Sequence, residues 1–302
     1  SKAVFSCSSQ PGSVTVDSLP LLHSLHDMLA YPFMQNALLA SLLASLPCGI
    51  VGVFVIHNRL TFLAGGASHA AYGGIGVALY FRLPLMPCTL VFSLLAALLM
   101  GAITLNKKEE ERDGDPDTAI GVLWAAGMAL GIILIELTPG YAGELMGFLF
   151  GSILAVPTSD LAGMAIFDGL LLVLLAVFHQ GLWAISLDRE FARTRGLPVR
   201  ALYLLLVGLT AVTVVMLIRV VGLILVLALM TIPPFLATRV CRSLYSTMVV
   251  AFLLSLGFCL GGLLLSWHTD SSSGASIIAV ATLVYFLAQT PRLKRRLSRS
   301  NR

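Results

Sequence analysis

Nine apolar runs, each close to the roughly 20 residues that a helix needs to cross a hydrocarbon core, follow one another along the chain. They occupy 33–56, 60–82, 84–105, 118–137, 160–184, 200–218, 220–238, 246–267 and 274–290. Backbone N–H and C=O groups in lipid must be satisfied within the chain, so runs of this length predict helices. Composition agrees. Hydrophobic residues make up 58% and charged residues only 11%, against about 25% charged in a soluble domain. The expected fold class is therefore all-α: a polytopic membrane protein of about nine transmembrane helices, with membrane lipid around it and no nucleic acid as a partner.

Residues 140–155, GYAGELMGFLFGSILA, are apolar but short, rich in glycine and interrupted by Glu144. They read as a re-entrant or outer-surface helix rather than a span. With the C-terminus placed inside, the loops at 57–59, 106–117, 186–200, 238–245 and 291–302 face the cytoplasm. Of the 19 Lys and Arg residues, only Lys2, Arg82 and Arg219 then fall on the other side. Cytoplasmic loops carry such an excess of Lys and Arg, so the N-terminus is expected outside. The chain divides into an external N-terminal tail (1–30), a membrane domain (31–290) and a basic cytoplasmic tail (291–302). The run NKKEEERDGDPD at 106–117 is a solvated charge cluster. The five cysteines, Cys7, Cys48, Cys88, Cys241 and Cys259, show no CxxC spacing. Four of them sit in or beside apolar runs, where they read as small hydrophobes.

The second run contains GGASHAAYGG at 65–74. Ala67, Ala70, Ala71 and Gly74 recur at i, i+3, i+4 and i+7, a stripe that lets neighbouring backbones approach closely. His69 sits in this stripe near mid-span. Ionisable groups there are costly and are kept for function or for bonds between helices. Neutral imidazole commonly binds zinc and tolerates manganese. His69 therefore reads either as a ligand along an ion pathway or as a packing residue, and Ser68 as a packing residue. Asp168 lies within the fifth run, as a pathway carboxylate or near a wet outer edge. His179, nearer the cytoplasm, reads as interfacial. Met230 and Thr231 precede Pro233 and Pro234, where the hydrogen-bond ladder must break. The freed carbonyls line a path or mark a kink. Outside, Arg82, Glu136, Glu144, Asp160, Arg219, His268 and Asp270 are surface charges within reach of a docking protein.

Residues 186–200 read SLDREFARTRGLPVR. Ser186 or Asp188 can cap a short helix, Asp188 and Glu190 suit its first turn, and Arg193 and Arg195 suit its last. Gly196 can supply the left-handed stop, and Pro198 forbids continuation. Leu187 and Phe191 share one face. Such a rod either fits a groove on another protein or is an ordinary loop helix. No GxxxxGK[ST] loop, HExxH or nucleophile elbow is present in the sequence, so neither an ATPase nor a hydrolase is indicated.

Five blocks, YPFMQNALLASLLASLPCGIVGVFVIHNRLTF, GGASHAAYGGIG, DTAIGVLWAAGMALGII, SLDREFARTRGLPVRALY and VVGLILVLALMTIPPFLATR, together resemble the permease subunits of ABC-3 type importers for zinc and manganese. The resemblance runs from about residue 31 to 290. It implies a permease domain with the type II importer fold, similar to siderophore and cobalamin permeases, and an outer helix near 140–155. It implies three partners: a second copy of the chain, a cytoplasmic ABC ATPase and an external metal-loaded solute-binding protein. It places the coupling helix at 187–198, with Leu187, Asp188, Glu190, Phe191, Arg193 and Gly196 meeting the ATPase. It makes His69, Asp168 and Met230 candidates for the metal pathway. The metal is cargo, and no cofactor is expected. Many family members carry Asp where this chain has Gly65, so a carboxylate that could help hold a cation is absent. The function expected is the channel subunit of an ATP-driven importer of divalent transition metal ions in a bacterial inner membrane. The alternatives are an ABC permease for a metal chelate or siderophore, and a proton-coupled secondary transporter. The latter would need intramembrane carboxylates in series.

Overall fold

The computed structural model describes residues 31–106, 116–138, 151 and 153–300. Its α-helices are α1 (Pro32–His57), α2 (Thr61–Tyr80), α3 (Leu85–Asn106), α4 (Pro116–Glu136), α5 (Thr158–Leu187), α6 (Arg189–Thr194), α7 (Val199–Val221), α8 (Leu223–Val240), α9 (Leu244–Thr269) and α10 (Ser273–Ser300). A single 3₁₀ turn covers Ile153–Ala155, and no strand occurs among the described residues. Each of the nine apolar runs coincides with one helix, to within a few residues for all but the last, whose helix runs ten residues further. Seven of them, α1, α3, α4, α5, α7, α8 and α9, are long and apolar enough to cross a membrane. In α2 the glycines and alanines dilute the apolar content, and α10 is apolar only over Ser273–Gln289. The expected N-terminal tail, the charged run over 107–115 and nearly all of the expected outer helix at 140–155 lie outside the described residues. The basic segment after 290 continues α10 as far as Ser300.

Burial separates centre from periphery. In α1, 72% of the apolar stretch is buried and in α7 67%, against 17% in α4. Helix α1 packs on α5, α7, α8 and α9, while α2 packs on α3, α4 and α7. The bundle therefore has two lobes sharing α7.

The small-residue stripe explains the second lobe. A Cβ added to Gly76 would lie 2.6 Å from the Gly131 carbonyl oxygen, and one on Gly127 would lie 2.9 Å from the Ala70 Cα. Main chain meets main chain along the α2–α4 seam, as small residues allow in membrane helices.

Two turns carry a feature that the sequence does not announce. Arg59 (φ 58°) and Arg82 (φ 55°) occupy the left-handed region, which costs a non-glycine residue about 1–2 kcal/mol. Each closes a helix by the Schellman pattern: the Leu60 N–H donates to the Val55 carbonyl at 2.8 Å, and the Leu83 N–H to Ala78 at 2.8 Å. The carbonyls that would otherwise end α1 and α2 unsatisfied are bonded, and both hairpins become tight.

Gly76→Ala is expected to lower the stability of the micelle-solubilised protein by about 1–3 kcal/mol through overpacking. Gly163→Ala, where a Cβ meets nothing within 4 Å, is expected to cost nothing measurable. Thermal melting of the two variants beside the parent protein checks the contrast.

Candidate functional site

His69 projects from α2 toward α4. Its ring stacks on the Trp124 indole, with centroids 4.3 Å apart and planes 21° from parallel. The ring is half-buried, and its Nδ1 is buried without a hydrogen-bond partner. The hydroxyl of Ser68 is satisfied locally, donating to the Ala64 carbonyl at 2.8 Å. A Cβ on Gly65, one turn before His69, would meet only the Trp124 ring edge at 3.9 Å. Packing therefore does not require glycine there, and a carboxylate side chain could stand beside His69. Trp124 was not singled out in the sequence. Its place as the one aromatic residue in an otherwise aliphatic run was the available signal.

Asp168 lies on α5, 5% exposed, with neither carboxylate oxygen hydrogen-bonded. It lies within electrostatic range of Cys48 on α1, which also interacts with Cys259 on α9. The Ser45 hydroxyl reaches the Cys259 sulfur at 4.0 Å, and the Ser255 hydroxyl is buried without a partner. These groups form a polar seam between α1, α5 and α9, away from the α2–α4 lobe. Among the described residues, no group of three His, Cys, Asp or Glu side chains is close enough to hold a metal ion.

Met230 is fully buried on α8. Pro234 lacks the N–H that would bond the Met230 carbonyl, and that oxygen faces α1: a Cβ on Gly52 would lie 2.7 Å from it and 2.6 Å from the Pro234 ring. The freed carbonyl is thus closed off by backbone. Thr231 donates to the Leu227 carbonyl at 2.7 Å. His69 thus stacks on Trp124 of α4, while Met230 packs beside Gly52 of α1.

The segment after α5 is largely exposed. Asp188, not Ser186, caps α6: its Oδ1 accepts the N–H groups of Glu190 and Phe191 at 2.9 and 3.1 Å. The Ser186 hydroxyl instead donates to the Leu182 carbonyl at 2.7 Å. Gly196 (φ 74°) stops the helix, with the Leu197 N–H donating to the Ala192 carbonyl. Leu187 is 72% exposed and Phe191 54%. Arg193 pairs with Glu190 at 3.0 Å, and Arg195 lies over the Phe191 ring at 5.1 Å. Only Ala192 of α6 is buried. On the inner side, the Asn58 Nδ2 donates to the Ser186 Oγ at 2.8 Å, and the Arg189 guanidinium lies 4.7 Å from the centre of the Tyr203 ring. Asn58 and Arg189 are ordinary loop polars in the sequence, and the bonds of Asn58 to Ser186 and Arg189, 128 and 131 residues away, cannot be read from local pattern.

An all-helical bundle with seven helices long and apolar enough to cross a membrane, and one short capped helix held between two of them, is the architecture of a polytopic membrane protein. Residues 30–291 match the ABC 3 transport family, and the chain belongs to that family. It is 46% identical over 271 residues to the uncharacterized membrane protein slr2045 of Synechocystis, covering 90% of this chain and 95% of that one. It is 30% identical to the manganese transport system membrane protein MntC of Halalkalibacterium halodurans, covering 86% and 88%. Among solved structures, PsaBC from Streptococcus pneumoniae in complex with Fab is similar, with a TM-score of 0.78, 28% identity and coverage of 89% and 95%. The chain is thus a multi-pass permease subunit of an ABC transporter.

Asn58→Ala removes the bond to Ser186 and is expected to cost about 0.5–1.5 kcal/mol. Asp168→Asn, which has no protein hydrogen bond to lose, is expected to stay within about 1 kcal/mol of the parent. Melting curves of each variant beside the parent in the same detergent check both.

Proposed function

We propose that this chain is one half of a homodimeric pore through which a divalent transition metal ion, manganese or zinc, is imported at the expense of ATP hydrolysed by a separate subunit. The observation that carries this reading is α6. It is a short rod with a satisfied cap and a fixed stop, held between α5 and α7, that leaves Leu187 and Phe191 uncovered. Apolar anchors on a helix are what a groove on a partner protein recognises. The family to which the chain belongs supports a cytoplasmic ATPase as that partner and an external solute-binding protein as the source of the ion. The Lys and Arg distribution supports a cytoplasmic α6 and C-terminus, an external N-terminus and a bacterial inner membrane.

In this reading His69 is the group that meets the ion. A single imidazole with an unpaired nitrogen is a weak site, which suits a pore that must release what it binds. Two chains facing one another across the pore offer two such rings. Gly65 withholds the carboxylate that would tighten the site, so selectivity rests mainly with the binding protein. The surroundings of Asp168 and Met230 support a structural role for both: Asp168 in the polar seam between α1, α5 and α9, and Met230 at the proline-broken turn packed on Gly52. The manganese name carried by one relative favours manganese as the first ion to test.

The experiment is co-purification with the cognate ATPase, followed by uptake of Mn²⁺ and Zn²⁺ into proteoliposomes. Phe191→Ala is expected to weaken ATPase binding about tenfold or more, since buried aromatic anchors dominate such contacts. His69→Ala is expected to leave that binding intact and to slow uptake by at least about tenfold, the loss typical of a disturbed metal site. Unchanged rates for every divalent ion would remove His69 from the path, and an ATPase that never binds would remove the importer reading itself.

A further inference from the structure

We infer that Arg189 is a positioning residue that delivers the movement of α6 to the α1–α2 turn, and through it to the helix that carries His69. This rests on the function proposed above.

Arg189 is the first residue of α6, yet it faces away from the exposed side of the rod. It is half-buried, while Leu187, Asp188, Glu190, Phe191, Arg193 and Thr194 are exposed. Its guanidinium sits over the Tyr203 ring at 4.7 Å and approaches the Asn58 backbone carbonyl at 3.5 Å. Tyr203 is 1% exposed on α7, and its hydroxyl meets the Thr104 side chain at the end of α3. Asn58 in turn donates from Nδ2 to the Phe54 carbonyl at 3.0 Å and to the Ser186 hydroxyl at 2.8 Å. One cation thus ties together α6, the α1–α2 turn and α7. Arginine suits such a place, since its flat guanidinium stacks on a ring while donating at its edge.

The turn is built to pass a push onward. Arg59 is held in the left-handed region, and the Leu60 N–H is bonded to the Val55 carbonyl. Leu60 is 3% exposed, and α2 starts immediately after it at Thr61. A displacement of Asn58 therefore moves the start of α2, and His69 follows some two turns later. Against this, the remaining hold of α6 on the bundle is thin, with Ala192 its only buried side chain. Without Arg189 the rod would still dock, but its motion would be spent in the loop.

The test uses the full complex of permease and ATPase in proteoliposomes, with Mn²⁺ as the probe, and reads metal imported per ATP hydrolysed. Arg189→Gln is expected to retain ATPase binding and hydrolysis while the ratio falls about fivefold or more. Arg189→Lys, which keeps the charge but not the flat stacking surface, should recover part of it. A ratio unchanged in Arg189→Gln overturns the inference. So does a parallel loss of ATPase binding, which would make Arg189 a docking residue. Should Arg189→Gln not fold, Tyr203→Leu, which removes the stacking surface from the other side, is read by the same ratio and the same outcomes. A parent complex that imports metal while these variants keep its ratio sinks this inference alone. A parent chain that binds no ATPase sinks the proposed function instead.

Discussion

The requirement that no polar group be left bare in an apolar surrounding governs this molecule. It dictates helices for the backbone, and it also dictates what the hydroxyl groups do. Ser41, Ser45, Ser68, Thr89, Thr104, Ser186, Thr210 and Thr231 each donate to the carbonyl four residues before them, at 2.6 to 2.9 Å. This local bond makes a hydroxyl nearly apolar toward its neighbours. Against that background the groups that escape the rule stand out. Among the described residues, Asp168, Ser255, Thr213, the Oδ1 of Asn58 and the Nδ1 of His69 are buried without partners. They fall in distinct places, with His69 in the lobe made by α2, α3 and α4, and Asp168 in the one made around α1.

The two lobes differ in how they cohere. Around α1 the contacts are between large side chains, with Phe54, Leu182, Leu225 and Leu229 fully buried. Along the α2–α4 seam they are between backbones, as they also are locally where Gly49 and Gly52 of α1 meet Phe252 and Met230. A lobe joined by main chain has little room to rearrange internally, so it is suited to moving as one piece.

Sequence periodicity and length were enough to place all nine apolar helices and the short rod after α5, because both signals are local. The stop at Gly196 and the break at Pro198 could be read directly. What escaped were facts of rotation. A run such as FDGLLLVLL is apolar on every side, so nothing in it tells which way Asp168 turns. The choice of Asp188 over Ser186 as the cap was similarly open, since either oxygen can accept. Arg59 and Arg82 at left-handed positions went unseen because glycine or asparagine is the residue that ordinarily signals such a turn. The Asn58 to Ser186 bond joins residues 128 apart, and no local pattern encodes it.

The α2–α4 seam has an evolutionary consequence. Ordinarily a larger residue on one helix can be answered by a smaller one on its neighbour. Here the atoms that a new Cβ at Gly76 would strike are the carbonyl, Cα and carbonyl carbon of residue 131, which every amino acid possesses. No compensating substitution exists. Descendants of this chain can drift in sequence across most of the bundle, but along that line their only route to change is to separate the helices altogether.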